Sequence, residues 1–323
     1  MPPNVFECRP ADRPVMLLVL GVNRSGTSAL TRVLSLCGAT LPPGLAGANA
    51  GNPLGYWEPR AVLRLNYEIL RRHRSGWFDP TLRLQEEGAF EADEKAARIA
   101  KIKAYLTTLP PSPLVVIKDL NITALSGLWF EAGRLAGFEV KPVIAVRHPQ
   151  EVMASLDAFN RASPELSSAL WLKGNLLAER NSRGLPRVFV DYANLLGDWR
   201  REVERISAAL DIDLVARDES AIEKFLKPDL HRQRYGGPVA EPFGTDWIST
   251  VYEALCAAAR DDTWDQSALD RVFDGYRGSQ LCFRAAFDDF ERLHKFNWLV
   301  RPSVLNLAYA VLAMAHGRSG PWA

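Results

Sequence analysis

Six consecutive residues, Asn23-Arg24-Ser25-Gly26-Thr27-Ser28, combine a cation, three hydroxyls and a glycine where an apolar run gives way to a helical pattern. That combination suits an anion of the phosphate type. The run before it, Val15-Met16-Leu17-Leu18-Val19-Leu20, is unbroken, as expected for a strand buried on both faces of a parallel sheet. After it, Ala29, Leu30, Val33, Leu34 and Cys37 recur at helical spacing. The amides around Gly26 to Ser28 therefore fall at a helix N-terminus, where backbone donors lack intrahelical partners and face an anion. Gly21 and Gly26 have the spacing of the two glycines in a nucleotide-triphosphate P-loop, but that motif requires lysine where this chain has Thr27. Triphosphate chemistry is disfavoured, and the cation is Arg24, on the other side of the glycine.

Two more segments place a cation after an apolar run. Leu114-Val115-Val116-Ile117 ends in Lys118-Asp119, and the run that stops at Val146 is followed by Arg147-His148-Pro149, with Ser155 eight residues beyond Arg147. Together with Val22 to Ser28, these segments resemble, in order and type, the motifs of sulfotransferases that use 3′-phosphoadenosine 5′-phosphosulfate, PAPS. The resemblance runs over residues 15–214 and is closest to bacterial and carbohydrate sulfotransferases. It implies that Asn23, Arg24, Ser25, Gly26, Thr27 and Ser28 form the 5′-phosphosulfate loop. It further implies that Arg147 and Ser155 hold the 3′-phosphate that separates PAPS from ordinary adenine nucleotides. No metal is implied, because arginines and amides neutralise the anion.

The chemistry expected of such a site is sulfuryl transfer to an acceptor hydroxyl. Charge grows on the bridging oxygen as the sulfur–oxygen bond breaks, so a fixed cation there stabilises the transition state above the ground state. Arg24 is the candidate. Many family members carry lysine at this place; arginine keeps the charge but does not give up its proton, which points to electrostatic stabilisation. Glu58 is the candidate base, because some carbohydrate sulfotransferases carry a glutamate in an aromatic-rich segment after the loop, and Tyr56-Trp57-Glu58 resembles it. Its aromatic neighbours are expected to desolvate it. Lys118 is expected to assist, oriented by Asp119, although a plain strand-end ion pair is an equal reading. Related sequences continue with Pro-Arg where this one has Leu120-Asn121. His148 and His231 are competing bases, Trp171 is read as core, and Arg232 and Arg234 as groups able to close over the phosphates.

These residues need a scaffold that brings strand ends together. Apolar, β-branched runs at 15–20, 114–117, 142–146 and 187–190 alternate with helical patterns at 86–109, 125–136, 148–159 and 167–182. The alternation predicts a three-layer α/β/α fold with a central parallel sheet, and ligands bind outside the carboxyl ends of such strands. Residues 42–55 are too rich in Gly, Pro and Asn for regular structure and read as a loop beside the site. The expected division is an α/β core over 1–245 and a helical C-terminal portion over 246–323.

Composition limits the alternatives. The chain has 323 residues, 47% hydrophobic, and its 39 basic residues nearly balance 38 acidic ones, so no general attraction to nucleic acid is expected. Cys8, Cys37, Cys256 and Cys282 have no metal or redox spacing. No apolar leader is evident in residues 1–14, which gives a cytoplasmic expectation. The apolar stretch at 303–315 is shorter than the roughly 20 residues that cross a bilayer and leaves only peripheral membrane contact open. The acceptor is expected to be a small molecule or glycan, with a carbohydrate hydroxyl favoured by the tryptophans. Oligomeric state is not readable. The rival readings are a P-loop nucleotide kinase and a non-catalytic module that binds PAPS or its product 3′-phosphoadenosine 5′-phosphate, PAP.

Overall fold

Apolar runs with little polar interruption have to be covered on both faces, and here four of them pair as one parallel sheet. In the computed structural model, β1 (Val15–Gly21), β2 (Leu114–Lys118), β3 (Glu139–Val146) and β4 (Val188–Asp191) lie in the order β2-β1-β3-β4. The structure describes residues 13–48, 52, 54–226, 235 and 237–299, without the side chains of 282 and 290–299. His231, Arg232, Arg234 and the stretch 303–315 lie outside the described residues. β1 is central: Leu18 pairs with Ile117 of β2 on one side and with Pro142 of β3 on the other. Every residue of β1 after Val15 is buried.

Parallel neighbours require long crossovers, and helices supply them. Between β1 and β2 come α1 (Thr27–Leu36), α2 (Arg60–Arg72), a short 3-10 turn (Arg83–Gln85) and α3 (Ala92–Leu106). α4 (Ile122–Leu135) joins β2 to β3, and α5 (Pro149–Asn160) and α6 (Pro164–Asn181) join β3 to β4. After β4 follow α7 (Tyr192–Gly197), α8 (Trp199–Leu210), α9 (Glu219–Phe225), α10 (Trp247–Ala259) and α11 (Gln266–Leu299). Leu17, Val19, Val143 and Val190 share one core with Leu30 and Leu34 of α1, Val203 and Ile206 of α8 and Ile222 of α9. Met16 and Val140 approach Gly133 of α4, and Val22 approaches Gly174 of α6. The sheet is thus enclosed between two helical layers, the architecture expected from the alternating pattern.

Two boundaries differ from expectation. The helix predicted over 86–109 begins only at Ala92: Gly88 has φ +76° and Glu91 is extended, so the chain turns before helical geometry starts. β3 begins at Glu139, ahead of Pro142, and accepts the proline inside a central strand. The chain divides into two compact units. Met1–Phe273 holds the sheet and α1 to α10, with α10 packing on β4. Asp274–Ala323 carries the later part of α11.

Gly133 offers a test of how closely α4 lies on the sheet. A β-carbon there would stand 2.4 Å from Met16 Cε and 2.7 Å from Val140 Cγ2. Gly→Ala inside a helix ordinarily adds about 1 kcal/mol of stability, whereas overpacking a filled core costs about 1–3 kcal/mol. Gly133→Ala is therefore expected to lower stability in urea denaturation by about 1 kcal/mol or more. A stabilised variant would mean that α4 is not seated against β1 and β3 as described.

Candidate active site

The loop after β1 turns on two left-handed residues, Arg24 with φ 72° and Gly26 with φ 90°. Gly26 sits at the N-cap of α1 without a side-chain cap. A β-carbon on it would meet Tyr192 Cδ2 at 2.3 Å, so the tyrosine ring lies directly on the glycine. The Ser25 amide and hydroxyl both donate to Val22 O, at 3.1 and 2.7 Å. Ser25, expected among the anion donors, is thereby turned into the loop, since a hydroxyl has only one proton to give. The donors that remain are the amides of Gly26, Thr27 and Ser28 in the first turn of α1, where helix geometry provides no acceptor. Thr123, in the first turn of α4, fixes the end of β1 by accepting from Gly21 N and donating to Gly21 O, each at 3.0 Å.

Arg24 and Ser155 come together: Arg24 Nε donates to Ser155 Oγ at 2.9 Å, and its guanidinium lies 5.2 Å from the centre of the Phe159 ring. Arg147 joins them from the end of β3. Its Nη1 donates to Arg24 O at 2.9 Å, its Nε pairs with Glu151 at 2.8 Å, and its guanidinium stands 4.7 Å from the centre of the Tyr192 ring. A helix of eight residues spans about 12 Å, so Arg147 and Ser155 could not meet one group along the axis alone. Arg147 instead folds back over the loop while Pro149 starts α5. Trp171 is fully buried and donates to Arg147 O at 3.2 Å, so it is core, as read from the sequence. His148 caps α5, its Nδ1 accepting from Gln150 N at 3.3 Å while its ring lies against Tyr235 and Tyr252. Burial lowers its pKa, while the cap bond ties the imidazole to the start of α5.

On the other side of the loop Lys118 spends all three ammonium protons. They go to Glu58 Oε1 at 2.6 Å, Ser28 Oγ at 3.2 Å and Tyr56 O at 3.4 Å. Lys118 and Glu58 are both buried, each side chain 4% exposed. Lys118 is therefore oriented by Glu58 and not, as expected, by Asp119. Asp119 belongs to a different set: its Oδ1 accepts from Asn66 Nδ2 at 2.6 Å and from Asn121 N at 3.1 Å. Trp57 does not cover Glu58 in the way the sequence led us to expect. Its ring lies under the Arg32 guanidinium, 4.4 Å from its centre, and edge-on to Phe225. Glu58 is instead held from behind, because Ala46 N donates to Glu58 O at 2.7 Å and ties the 42–55 loop to it.

The structure therefore gathers Arg24, Arg147 and Ser155 on one flank of the loop and Lys118, Glu58 and Ser28 on the other. Asn23 stands at the loop's start. Sequence reasoning missed Tyr192, although an aromatic residue following a strand end is the kind of group able to pack on a loop glycine. It also missed Asn66, which bridges Asp119 to the Trp129 indole by accepting from Nε1 at 2.9 Å. Nothing in the sequence around Asn66 marked it. Among the described residues, no group of three or more His, Cys, Asp or Glu side chains could hold a metal ion, and no helix is long and apolar enough to cross a membrane.

No protein-family model and no curated protein matches the chain. Solved structures similar to the chain include three sulfotransferases. The sulfotransferase domain of the Synechococcus PCC 7002 olefin synthase is 20% identical, over 81% of this chain and 94% of that one, with a TM-score of 0.42. The sulfotransferase domain from the curacin biosynthetic pathway is 18% identical, over 83% and 98%, with a TM-score of 0.40. A sulfotransferase from Mycobacterium tuberculosis H37Rv is 16% identical, over 66% and 71%, with a TM-score of 0.34.

Asp119 gives the site a measurable pH signature. Burial, and then the nearby Glu58 carboxylate, push its pKa up from 3.8 to about 6, against the bonds from Asn66 and the charge of Lys118. The folded state thus favours the protonated acid, and this contribution to stability is present below the unfolded value and lost as pH rises through about 6. Asp119→Asn cannot titrate. Relative to that variant, the wild type should lose stability between pH 4 and pH 6, by up to roughly 3 kcal/mol in urea denaturation. Parallel pH profiles for the two proteins would contradict this account of Asp119.

Proposed function

We propose that the chain is a sulfotransferase that moves a sulfuryl group from PAPS to the hydroxyl of a small-molecule or glycan acceptor. One observation carries the reading: the Arg24–Ser155 bond at 2.9 Å, which brings two motifs 131 residues apart together at one loop. The bond from Arg147 to Arg24 O supports it, because it puts a second guanidinium against the same loop. The donor set also fits PAPS. It consists of helix-end amides, arginines and a lysine, groups that neutralise a phosphate and phosphosulfate without a divalent ion.

When bound, PAPS would supply a sulfuryl group already activated by its anhydride link to phosphate. The amides of Gly26, Thr27 and Ser28 would hold the 5′ end, and Arg147 with Ser155 the 3′-phosphate. Arg24 keeps its proton and so acts through charge, placed where the bridging oxygen becomes anionic. Lys118 adds charge next to Ser28 while engaging Glu58 Oε1, which leaves Glu58 Oε2 to take the acceptor proton. Trp57 lies against Arg32 and Trp171 is buried, so neither of these two rings supports a sugar acceptor. The acceptor class must be read from elsewhere in the fold.

Ligand choice is the direct test. PAP should raise the melting temperature clearly more than AMP does, because the 3′-phosphate gains charged hydrogen bonds of about 1.5–3 kcal/mol. Arg147→Ala should erase most of that difference, and equal stabilisation by PAP and AMP would remove the case for a 3′-phosphate pocket. Turnover separates an enzyme from a binding module, which would hold PAP and transfer nothing. Arg24→Ala should lower kcat by about 10²–10³ with a smaller change in the KM for PAPS. A change in KM alone would make Arg24 a uniform binder. Glu58→Gln should keep PAP affinity and cut transfer by about 10²–10⁴. Near-normal transfer would clear Glu58 of the role.

A further inference from the structure

The face of α2 turned away from the core carries a line of like charges. Arg60, Arg64, Tyr67 and Arg71 follow one another at intervals of four, three and four residues, so they fall in one narrow stripe along the helix, and all four are exposed. Val62, Asn66, Ile69 and Leu70 occupy the buried face. From Arg60 to Arg71 the stripe runs about 17 Å.

Helix stability does not account for these charges. Arg60 is the first residue of α2, at the end where the helix dipole disfavours a cation, and Arg64 repeats its charge one turn further on. No acidic residue stands in the first turn. The flank of α2 that meets α3 is neutralised: Glu68 pairs with Arg98 at 2.8 Å and Lys101 at 2.7 Å, and Arg72 pairs with Glu94 at 2.7 Å. Other exposed arginines also find carboxylates, Arg134 with Glu131, Arg180 with Asp270 and Arg260 with Asp262. Among the described residues, Arg60, Arg64 and Arg71 have no such partner.

The stripe leads to the candidate site. Only Pro59 separates Arg60 from Glu58, and Asn66, the neighbour of Tyr67 in the chain, binds Asp119. Burial, and then the carboxylates of Asp119 and Glu58, push the pKa of the Tyr67 phenol upward, so this half-exposed ring stands within electrostatic reach of both acids. An extended molecule with a hydroxyl at Glu58 would continue along α2.

We propose that the exposed face of α2 docks an acidic polysaccharide, its carboxylates on Arg60, Arg64 and Arg71 and one sugar ring against Tyr67, and that this polysaccharide carries the acceptor hydroxyl. Only the word acceptor rests on the sulfotransferase reading; the ligand class rests on the stripe. Arginine holds a carboxylate through a fork of two donors, and an exposed aromatic ring gives an apolar face for a sugar to lie on. The rival occupant is an acidic helix of a partner protein. A protein interface is built around a cluster of buried apolar anchors, and the stripe offers a single ring.

Isothermal titration of the full chain with hexagalacturonate, with maltohexaose and with hexaglutamate tests the ligand class without any turnover. Hexagalacturonate should bind about tenfold or more tightly than maltohexaose, as expected of several exposed ion pairs together, and its affinity should fall as salt is raised. The double variant Arg64→Gln, Arg71→Gln should abolish the preference and leave PAP affinity unchanged; both sites are exposed and glutamine is a good helix former, so the fold is retained. Tyr67→Ala should weaken hexagalacturonate by about fivefold and leave hexaglutamate unaffected. Equal binding of hexagalacturonate and maltohexaose, binding of neither, or a preference that survives in the double variant would overturn the proposal. Hexaglutamate bound as tightly as hexagalacturonate would also overturn it, in favour of an acidic protein. Failure of PAP to bind a wild type that still prefers hexagalacturonate would sink the sulfotransferase reading and spare the docking surface.

Discussion

The contact between Gly26 and the ring of Tyr192 constrains everything around it. With a β-carbon position only 2.3 Å from the ring, no side chain is admitted without displacing the tyrosine, and φ 90° already favours glycine. The close approach locks the start of α1 to the residue that follows β4. Arg147 also lies over the same ring, 4.7 Å from its centre, and reaches Arg24 O, so the end of β3 is fastened to the loop as well. Arg24 needs that fastening. A non-glycine residue in the left-handed region costs about 1–2 kcal/mol, and the bonds at its carbonyl and its guanidinium offset the cost while fixing where the charge points.

The buried charges fall into two kinds. Lys118 with Glu58, and Arg147 with Glu151, are pairs in which each partner offsets the other's loss of water. Removing one member of such a pair strands the other, at a cost of about 3–5 kcal/mol. Among the described residues, Asp119 and Lys173 feel an opposite charge, Lys118 and Asp79 respectively, without forming an ion pair with it. Asp119 meets the problem by favouring its neutral form, and Lys173 by a lowered affinity for its proton together with one carbonyl. The paired charges lie against the loop, as a rigid anion site requires.

The sheet and the loop were legible because their signals are local. Unbroken apolar runs of four to seven residues mark doubly buried strands, and the helical spacing of Ala29 to Cys37 marks the helix whose first amides form the cradle. The convergence of Arg24, Arg147 and Lys118 also followed from the pattern, since each ends a strand of one parallel sheet. Partner choice did not. Asp119 stands next to Lys118 in sequence, yet consecutive residues at a strand end point to opposite sides, and it is Glu58, 60 residues away, that meets the ammonium. The pairing of Tyr192 with Gly26 and of Asn66 with Asp119 depends on the packing of helices against the sheet, which no local pattern encodes. Trp57 misled for the same reason, because an aromatic neighbour in sequence carries no information about where its ring is turned.

The strand order also sets the timing of folding. β1 is made first and lies in the middle, so its partners β2 and β3 are synthesised about a hundred residues after it. At about 5–20 residues per second, roughly 5–20 seconds pass during which a fully apolar strand, with its anion loop attached, has neither neighbour. Closing loops of that length before any ladder bond forms makes the sheet slow to assemble. Before β2 is made, the nascent chain must shelter Val15–Gly21 with the helices that follow it, α1 first. The loop after β1 is thus synthesised ahead of all the residues that support it and, because Tyr192 comes last of these, is among the last parts to be finished.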